Sequence, residues 1–256
     1  MLHHLLPRIL FNLQRTVMYY VVIAGLFFAL WLWWRARPGK RLPLQAKHAP
    51  AAQMRRELFT SIGSVIVFSS YLPILFFLGF GEYTQFYPHI EDHGWPYFFI
   101  SILLAMVIQD TYFYWTHRLM HHRRLFRWFH RTHHRSTNTN PWSTYSVNPL
   151  EAIVDSGAGV LILLILPITS WAILAFSVIN TVYAVYTHLG YELYPRALSG
   201  HWLGRWINTS TAHNIHHARA RYNFSWYFLF WDRMMGTLSP DYEAHYRKAG
   251  FRARKE

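Results

Sequence analysis

"QDTYFYWTHRLMHHRR", residues 109–124, changes character halfway along. Its first half finishes an apolar run that starts near Trp95, continues to about Thr116 and is interrupted only by Asp110. Its second half carries His117 and His121, then a basic pair, Arg123 and Arg124. A bilayer crossing needs about 20 mostly apolar residues, so the run predicts a membrane-spanning helix. Histidines at i and i+4 share one face of such a helix. The stretch therefore reads as a membrane helix that delivers two imidazoles to one side of a bilayer.

Three other runs support that reading. Residues 16–34 lie uncharged between Arg15 and Arg35, and residues 58–81 are uncharged with Pro73 inside. The cluster Trp31, Trp33 and Trp34 suits an interfacial anchor. Residues 156–189 carry no formal charge at neutral pH and are too many for one span. Pro167 to Ser170 sits at their middle, which predicts two antiparallel helices turning there, and Asn148-Pro149 reads as a helix start. Composition agrees: 52% of residues are apolar and 14% charged, against roughly 25% charged in an average soluble domain. A wholly soluble protein is excluded on that ground. No cleavable leader is expected, because the first apolar run is too long and lacks a small-residue cleavage site.

Loop charge predicts orientation. Residues 35–56 hold seven Lys or Arg and no acid, and residues 117–135 hold six Arg and no acid. Residues 82–94 hold Glu82, Glu91 and Asp92 without a basic residue. The first two segments are expected to be cytoplasmic and the third external. The expected divisions are N-terminal membrane helices over 1–116, a cytoplasmic histidine segment over 117–150, a membrane hairpin over 151–190 and a cytoplasmic C-terminal cap over 191–256. The net charge of +13, in so apolar a chain, points to anionic lipid and not to nucleic acid. Arg outnumbers Lys 21 to 4, a bias of GC-rich genomes that favours a bacterial inner membrane; the eukaryotic counterpart is the endoplasmic reticulum.

This topology gathers His117, His121, His130, His133, His134, His188, His213, His216 and His217 on the cytoplasmic face. "HRTHH" at 130–134 and "HNIHH" at 213–217 repeat one pattern, with histidines at i, i+3 and i+4. At the observed histidine frequency about 0.07 such triplets are expected by chance in the chain. Each group is expected to aim its imidazoles one way, as chelation requires, and imidazole suits Zn, Cu, Fe and Ni. The chain has no Cys, which rules out disulfides and iron–sulfur clusters. There is no His-Glu-x-x-His, and the Glu-x-x-His pairs of four-helix di-iron proteins are also missing. Eight or nine histidines are too many for one ion and suit two. The expected fold class is thus an all-α integral membrane protein, with four to five transmembrane helices and a cytoplasmic helical cap holding a dinuclear metal site. Asp110 lies two helical turns before His117, and an acid inside a span is usually functional. It is the expected acceptor for a ligand's outer N–H, with Glu151, Glu192 and Asp232 as further candidates.

The segments "DTYFYWTHRLMHHRRLFRWFHRTHHRSTNTNPWSTYSVNPLEA", "THLGYE" and "AHNIHH…YNFSWYFLFWDRMMGT" resemble the fatty acid hydroxylase/sterol desaturase superfamily, from about residue 105 to 240. The resemblance implies membrane helices carrying a cytoplasmic cap with two iron ions, for which zinc can substitute. It also implies O2-dependent hydroxylation or desaturation of an unactivated C–H bond in a lipid. Carried over residue by residue, His117 and His121 match the first histidine box, and His130, His133 and His134 the second. His188 matches an isolated histidine, and His213, His216 and His217 the third box. His122 rivals His121, and His201 is a further candidate. Tyr222-Asn223-Phe224 stands where relatives often have Asn-Tyr-Gly. Nothing resembles a haem, flavin or iron–sulfur domain, so a separate electron donor, cytochrome b5-like or ferredoxin-like, is implied, and the basic face is one place for it to dock. "THLGYE" and "NPLEA" lean toward the sterol-type relatives. The competing readings are a metal transporter, a haem-binding membrane cytochrome and a non-catalytic relative.

Overall fold

The computed structural model describes residues 2–37 and 42–249. Lys40 and Arg41 of the first basic segment, and residues 250–256 of the C-terminal one, lie outside them. Among the described residues the chain is helical, with isolated backbone bridges and no extended strand. The body is built from α1 (Leu2–Arg35), α2 (Ala51–Phe77), α3 (Gly94–Met120), α6 (Pro149–Ile165) and α7 (Ser170–Thr187). Short helices follow the spans: α4 (Phe126–Phe129), α5 (Arg131–His134), α8 (Ser210–Arg219), α9 (Phe230–Met234) and α10 (Tyr242–Lys248).

Four helices, α1, α2, α3 and α7, are long and apolar enough to cross a membrane. Their outward faces carry Phe59, Leu26, Leu103 and Trp171 in the open, each at least 60% exposed. Exposed apolar side chains on this scale identify lipid, not water, as the surroundings. α3 has 27 residues and is about 40 Å long at 1.5 Å per residue, whereas the hydrocarbon core is about 30 Å thick. Its final turns, with His117, therefore extend past the core.

α6 and α7 form the expected hairpin. Asn148 caps α6 by accepting the Leu150 N–H at 2.8 Å, and Pro149 occupies its first turn. α6 starts earlier than the uncharged run and so takes Glu151 and Asp155 into its first turns. The helix stops at Ile165, two residues before Pro167, and α7 begins at Ser170. The acidic 82–94 segment is bonded to that turn, through Gln85 N to Leu163 O at 2.8 Å and Tyr87 N to Ile168 O at 3.2 Å. The hairpin turn and the acidic loop therefore share one end of the bundle, and the histidines occupy the other. Between them Ile102, Ala105, Ile162, Leu163, Leu166, Ala172 and Phe176 form the main apolar core of α3, α6 and α7. Gly157 permits the close approach of α3, since a Cβ there would overlap the Tyr112 hydroxyl.

Two of the three tryptophans at the end of α1 are not interfacial anchors. Trp31 and Trp34 are buried against Leu189 and Tyr191, and only Trp33 is open, with the Arg37 guanidinium over its ring. Positions 31 and 34 lie one helical turn apart on the face that meets the segment after α7, so packing takes them out of the interface.

A buried polar network joins α2 to the segment after the first histidine triplet. Glu57 accepts the side-chain N–H of Gln53 at 2.8 Å and of Asn140 at 2.7 Å, and Gln53 also donates to the Asn138 carbonyl at 2.8 Å. Tyr20 of α1 donates to the Trp142 carbonyl at 2.7 Å and stacks on Tyr145. Glu57→Ala leaves the Asn140 amide buried without its acceptor and is expected to destabilise the protein by about 2 kcal/mol. Thermal unfolding in detergent measures it, and Glu57→Gln, which keeps one acceptor oxygen, falls between the two.

Candidate metal centre

The eight histidines singled out by spacing and the isolated His188 all meet at the end of the bundle opposite the hairpin turn. They fall into two groups whose ligand-capable atoms lie within 4.8 Å of one another: His117, His121, His130, His134 and His216 in the first, His133, His188, His213 and His217 in the second. The groups adjoin, with the rings of His134 and His217 5.0 Å apart. His121, the C-cap of α3, belongs to the first group. His122 does not; it is exposed, and its Nδ1 accepts the Arg124 N–H at 3.4 Å. His201 is also exposed and outside both groups.

The triplets do not aim their rings one way. His130 and His134 enter the first group while His133 enters the second; His213 and His217 enter the second while His216 enters the first. Helical geometry gives the reason. Residues i and i+4 differ by about 40° around the axis, whereas i+3 and i+4 differ by about 100°. Each i, i+4 pair therefore serves one group and its i+3 member the other, so each short helix bridges the two.

The rings converge through Nε2. In the first group Nε2 of His117 lies 2.9 Å from that of His130, and Nε2 of His134 lies 3.2 Å from His121 and 3.0 Å from His216. In the second, Nε2 of His188 is 3.2 Å from His133 and 3.0 Å from His213, which is 3.1 Å from His217. At a zinc–imidazole bond of about 2.0–2.1 Å, two nitrogens on one ion are about 2.9 Å apart at a right angle and about 3.4 Å apart at the tetrahedral angle. The observed spacings fall within that range.

Outer hydrogen bonds fix which nitrogen faces inward. Nδ1 of His117 donates to the Phe224 carbonyl at 2.8 Å and Nδ1 of His216 to that of Tyr222 at 2.7 Å. Nδ1 of His188 donates to the Ala184 carbonyl at 2.8 Å, and Nδ1 of His130 to Glu151 Oε1 at 2.6 Å. An imidazole that donates through Nδ1 has a bare Nε2 when neutral. With Glu151 ionised, His130 is bare at Nε2 as His117 is, and the two lone pairs at 2.9 Å call for a cation between them. Burial first, then the neighbouring imidazoles, holds His130, His133, His213, His216 and His217 well below the ordinary histidine range. Burial lowers His134 and His188 to about 4. The donor set is neutral at physiological pH, as metal ligation requires.

Asp110 does not reach His117. Its Oδ1 accepts the backbone N–H groups of Trp226, Tyr227 and Phe228 at 3.1, 2.6 and 3.1 Å. The two-turn spacing aligns Asp110 with His117 along α3, but the strap at 222–228 lies beside that face and offers three donors. Asp232 accepts from Phe224 N and Ser225 N, each at 2.9 Å, and Asn208 donates to the carbonyls of Ser225 and Trp226. Asp110 and Asp232 thus hold the strap whose carbonyls orient His117 and His216. Of the further candidates, Glu151 contacts a group member directly. Glu192 accepts the N–H and hydroxyl of Thr211 at the start of α8, at 3.0 and 2.7 Å, and so sets the helix bearing the second triplet. The strap carbonyls have no signature in sequence. Asn180 had one, as a polar residue inside an apolar run; its Oδ1 accepts Trp226 Nε1 at 2.8 Å and the Tyr227 hydroxyl at 2.6 Å.

An all-α membrane protein with nine imidazoles in two adjoining groups, each able to hold a metal ion, belongs to the class of histidine-rich membrane proteins. The chain itself is a member of the fatty acid hydroxylase family, whose model matches residues 102–237. It is 28% identical over 200 residues to a Delta(7)-sterol 5(6)-desaturase of Gibberella zeae, covering 75% of this chain and 60% of that protein. It is 28% identical over 216 residues to one from Aspergillus fumigatus, covering 77% and 66%. It is 27% identical over 188 residues to a lathosterol oxidase of Rattus norvegicus, covering 73% and 61%. The chain thus spans less than two thirds of the length of these relatives. No solved structure matches it.

Glu151→Ala removes the acceptor that orients His130 and is expected to weaken metal binding about 10–100-fold, read by competition with a chelator; Glu151→Gln loses less. Asp110→Ala strands three strap N–H groups and is expected to cost about 3 kcal/mol of stability as well as metal affinity. Asp110→Asn, which keeps Oδ1, retains most of both in the same thermal and metal assays.

Proposed function

We propose that this chain carries two iron ions and catalyses the O2-dependent hydroxylation or desaturation of an unactivated C–H bond in a membrane lipid. The observation that carries the reading is the pair of bare nitrogens of His117 and His130 at 2.9 Å, set within two all-imidazole groups at the end of membrane helices. One ion is held by His117, His121, His130, His134 and His216, the other by His133, His188, His213 and His217. Bound iron supplies the redox chemistry that activates O2 against a C–H bond. The protein's own part is to hold neutral ligands, to orient them through the strap and Glu151, and to exclude water. Phe113 and Phe224 pack at 4.7 and 5.7 Å from the His117 ring, and Phe126 at 5.4 Å from that of His121.

An apolar groove of about 700 Å3, lined by Trp95, Phe98, Trp171 and Val178 among others, does not hold the reacting bond. Val178 is ten residues from His188 along α7, about 15 Å. The reacting carbon instead enters beside the histidine end. The relatives are named for activities on sterols, which supports a sterol-type lipid and makes desaturation the first outcome to test. The basic segments support a cytoplasmic histidine end, in a bacterial inner membrane or the endoplasmic reticulum. Electrons come from a separate cytochrome b5-like or ferredoxin-like donor. The transporter reading is disfavoured, since its ligands belong near the bilayer midplane. Nine imidazoles packed ring against ring also leave no space for a haem.

Lipid mass spectrometry under ¹⁸O2, with and without the protein, tests the reaction. A product bearing one labelled oxygen marks hydroxylation, and a product two hydrogens lighter, with label in water, marks desaturation. No O2-dependent change in any lipid contradicts the proposal.

The lowered histidines set the pH dependence. A neutral buried imidazole takes up no proton between its folded value, about 4 for His134 and His188, and the unfolded value of about 6.5. The unfolded chain does, so stability is full above about pH 6.5 and is lost as pH falls toward 4. Metal retention and thermal stability are both expected to decline through that window and to recover on reneutralisation with metal; retention unchanged at low pH contradicts imidazole ligation.

A further inference from the structure

We propose that a pocket formed by Arg196, Arg205, Arg233 and Arg247 binds the phosphate of an anionic membrane lipid. The pocket encloses about 510 Å3 and shares no lining residue with the two histidine groups; it lies between the segment after Tyr194 and helices α9 and α10, and among the described residues Glu243 is the one acid lining it. Two of its arginines donate to backbone carbonyls. Arg233 donates from Nε and Nη2 to the Arg205 carbonyl at 3.1 and 2.9 Å, and reaches Glu243 only at 3.4 Å. Arg196 donates from Nε to the Ala249 carbonyl at 3.1 Å. The guanidinium carbons of Arg205 and Arg233 lie 5.5 and 5.7 Å from the Trp206 ring. Four guanidinium groups held in one concavity against a single carboxylate make an anion site, and the guanidinium fork matches phosphate oxygens.

The rim identifies which phosphate. Trp202, which lines the pocket, is 71% exposed and its neighbour Leu203 52%. Phe230 is 45% exposed and its ring is 6.2 Å from Trp206. The next residue, Trp231, packs on Tyr114 and Trp115 of α3, where Trp115 and Leu119 are themselves exposed along a membrane-spanning helix. The pocket thus opens beside lipid-facing surface, with an indole at its mouth. Apolar rim and cationic floor together fit a headgroup phosphate that stays attached to acyl chains. A free phosphate ion gains nothing from the rim, and an acidic protein would leave the concavity unfilled.

The test uses the full chain reconstituted in phosphatidylcholine nanodiscs with and without phosphatidylglycerol, with lipid retained after detergent extraction counted by native mass spectrometry. Wild-type protein is expected to retain phosphatidylglycerol over phosphatidylcholine, and the Arg205→Gln/Arg247→Gln variant to lose that preference by about tenfold or more with unchanged metal content. Arg123→Gln/Arg124→Gln, outside the pocket, keeps it. Glu243→Gln, which removes the opposing charge, is expected to raise retention and serves if the double variant fails to fold. Equal preference in the pocket variants overturns the proposal, as does equal loss in the Arg123/Arg124 variant, which would signify general surface charge. Displacement of the lipid by inorganic phosphate alone overturns it in favour of a free-anion site.

Discussion

With Glu151 ionised, two imidazole nitrogens with no proton between them face each other across 2.9 Å, at His117 and His130. Each is bare because its ring donates through the other nitrogen, to the Phe224 carbonyl in one case and to Glu151 in the other. In a buried site, two such lone pairs repel unless a cation lies between them. Much of the architecture around the site follows from holding that arrangement. α3 has to extend past the hydrocarbon core, α6 has to start early enough to present Glu151, and the strap has to pass close enough to offer its carbonyls.

The offset within each histidine triplet does the rest. Because the i+3 ring diverges from the i, i+4 pair, α5 and α8 each place ligands in both groups. Neither group is complete without both triplets, so the two candidate sites form as one unit. Buried carboxylates hold the supporting segments: Glu57 the stretch after the first triplet, Glu192 the start of α8, and Asp110 with Asp232 the strap. These acids act by accepting backbone and amide N–H groups, which otherwise lack partners in a region shielded from water.

Much of this was legible in the sequence, for physical reasons that also mark where legibility stopped. Length and the lack of charge define spans independently of tertiary structure, so α1, α2, α3 and the hairpin turn at Pro167 could be read directly. Spacing selected eight of the nine histidines, the family resemblance added His188, and helical periodicity favoured His121 over His122. What spacing cannot give is a partition between two centres, since the rings of one short helix diverge by an angle that matters only once both partners are in place. Asp110 was found as a buried acid but was assigned to the wrong neighbour, because its true partners are backbone N–H groups more than a hundred residues away. The strap carbonyls are backbone groups with no residue signature. Trp31 and Trp34 looked interfacial by composition, and only the packing of Leu189 and Tyr191 shows them to be interior.

The membrane and the metal site are therefore coupled through the ends of the helices: lipid-facing surface fixes the spans, and the spans deliver ligands just beyond the hydrocarbon. The claim at the centre of this account is that each histidine group holds its own ion. Elemental analysis of protein loaded anaerobically with iron tests it most directly, with His188→Ala measured in parallel. The account predicts two irons per wild-type chain and one in the variant, which lacks a ligand of the second group only. A wild-type chain that binds one iron or none, with all nine histidines intact, contradicts it.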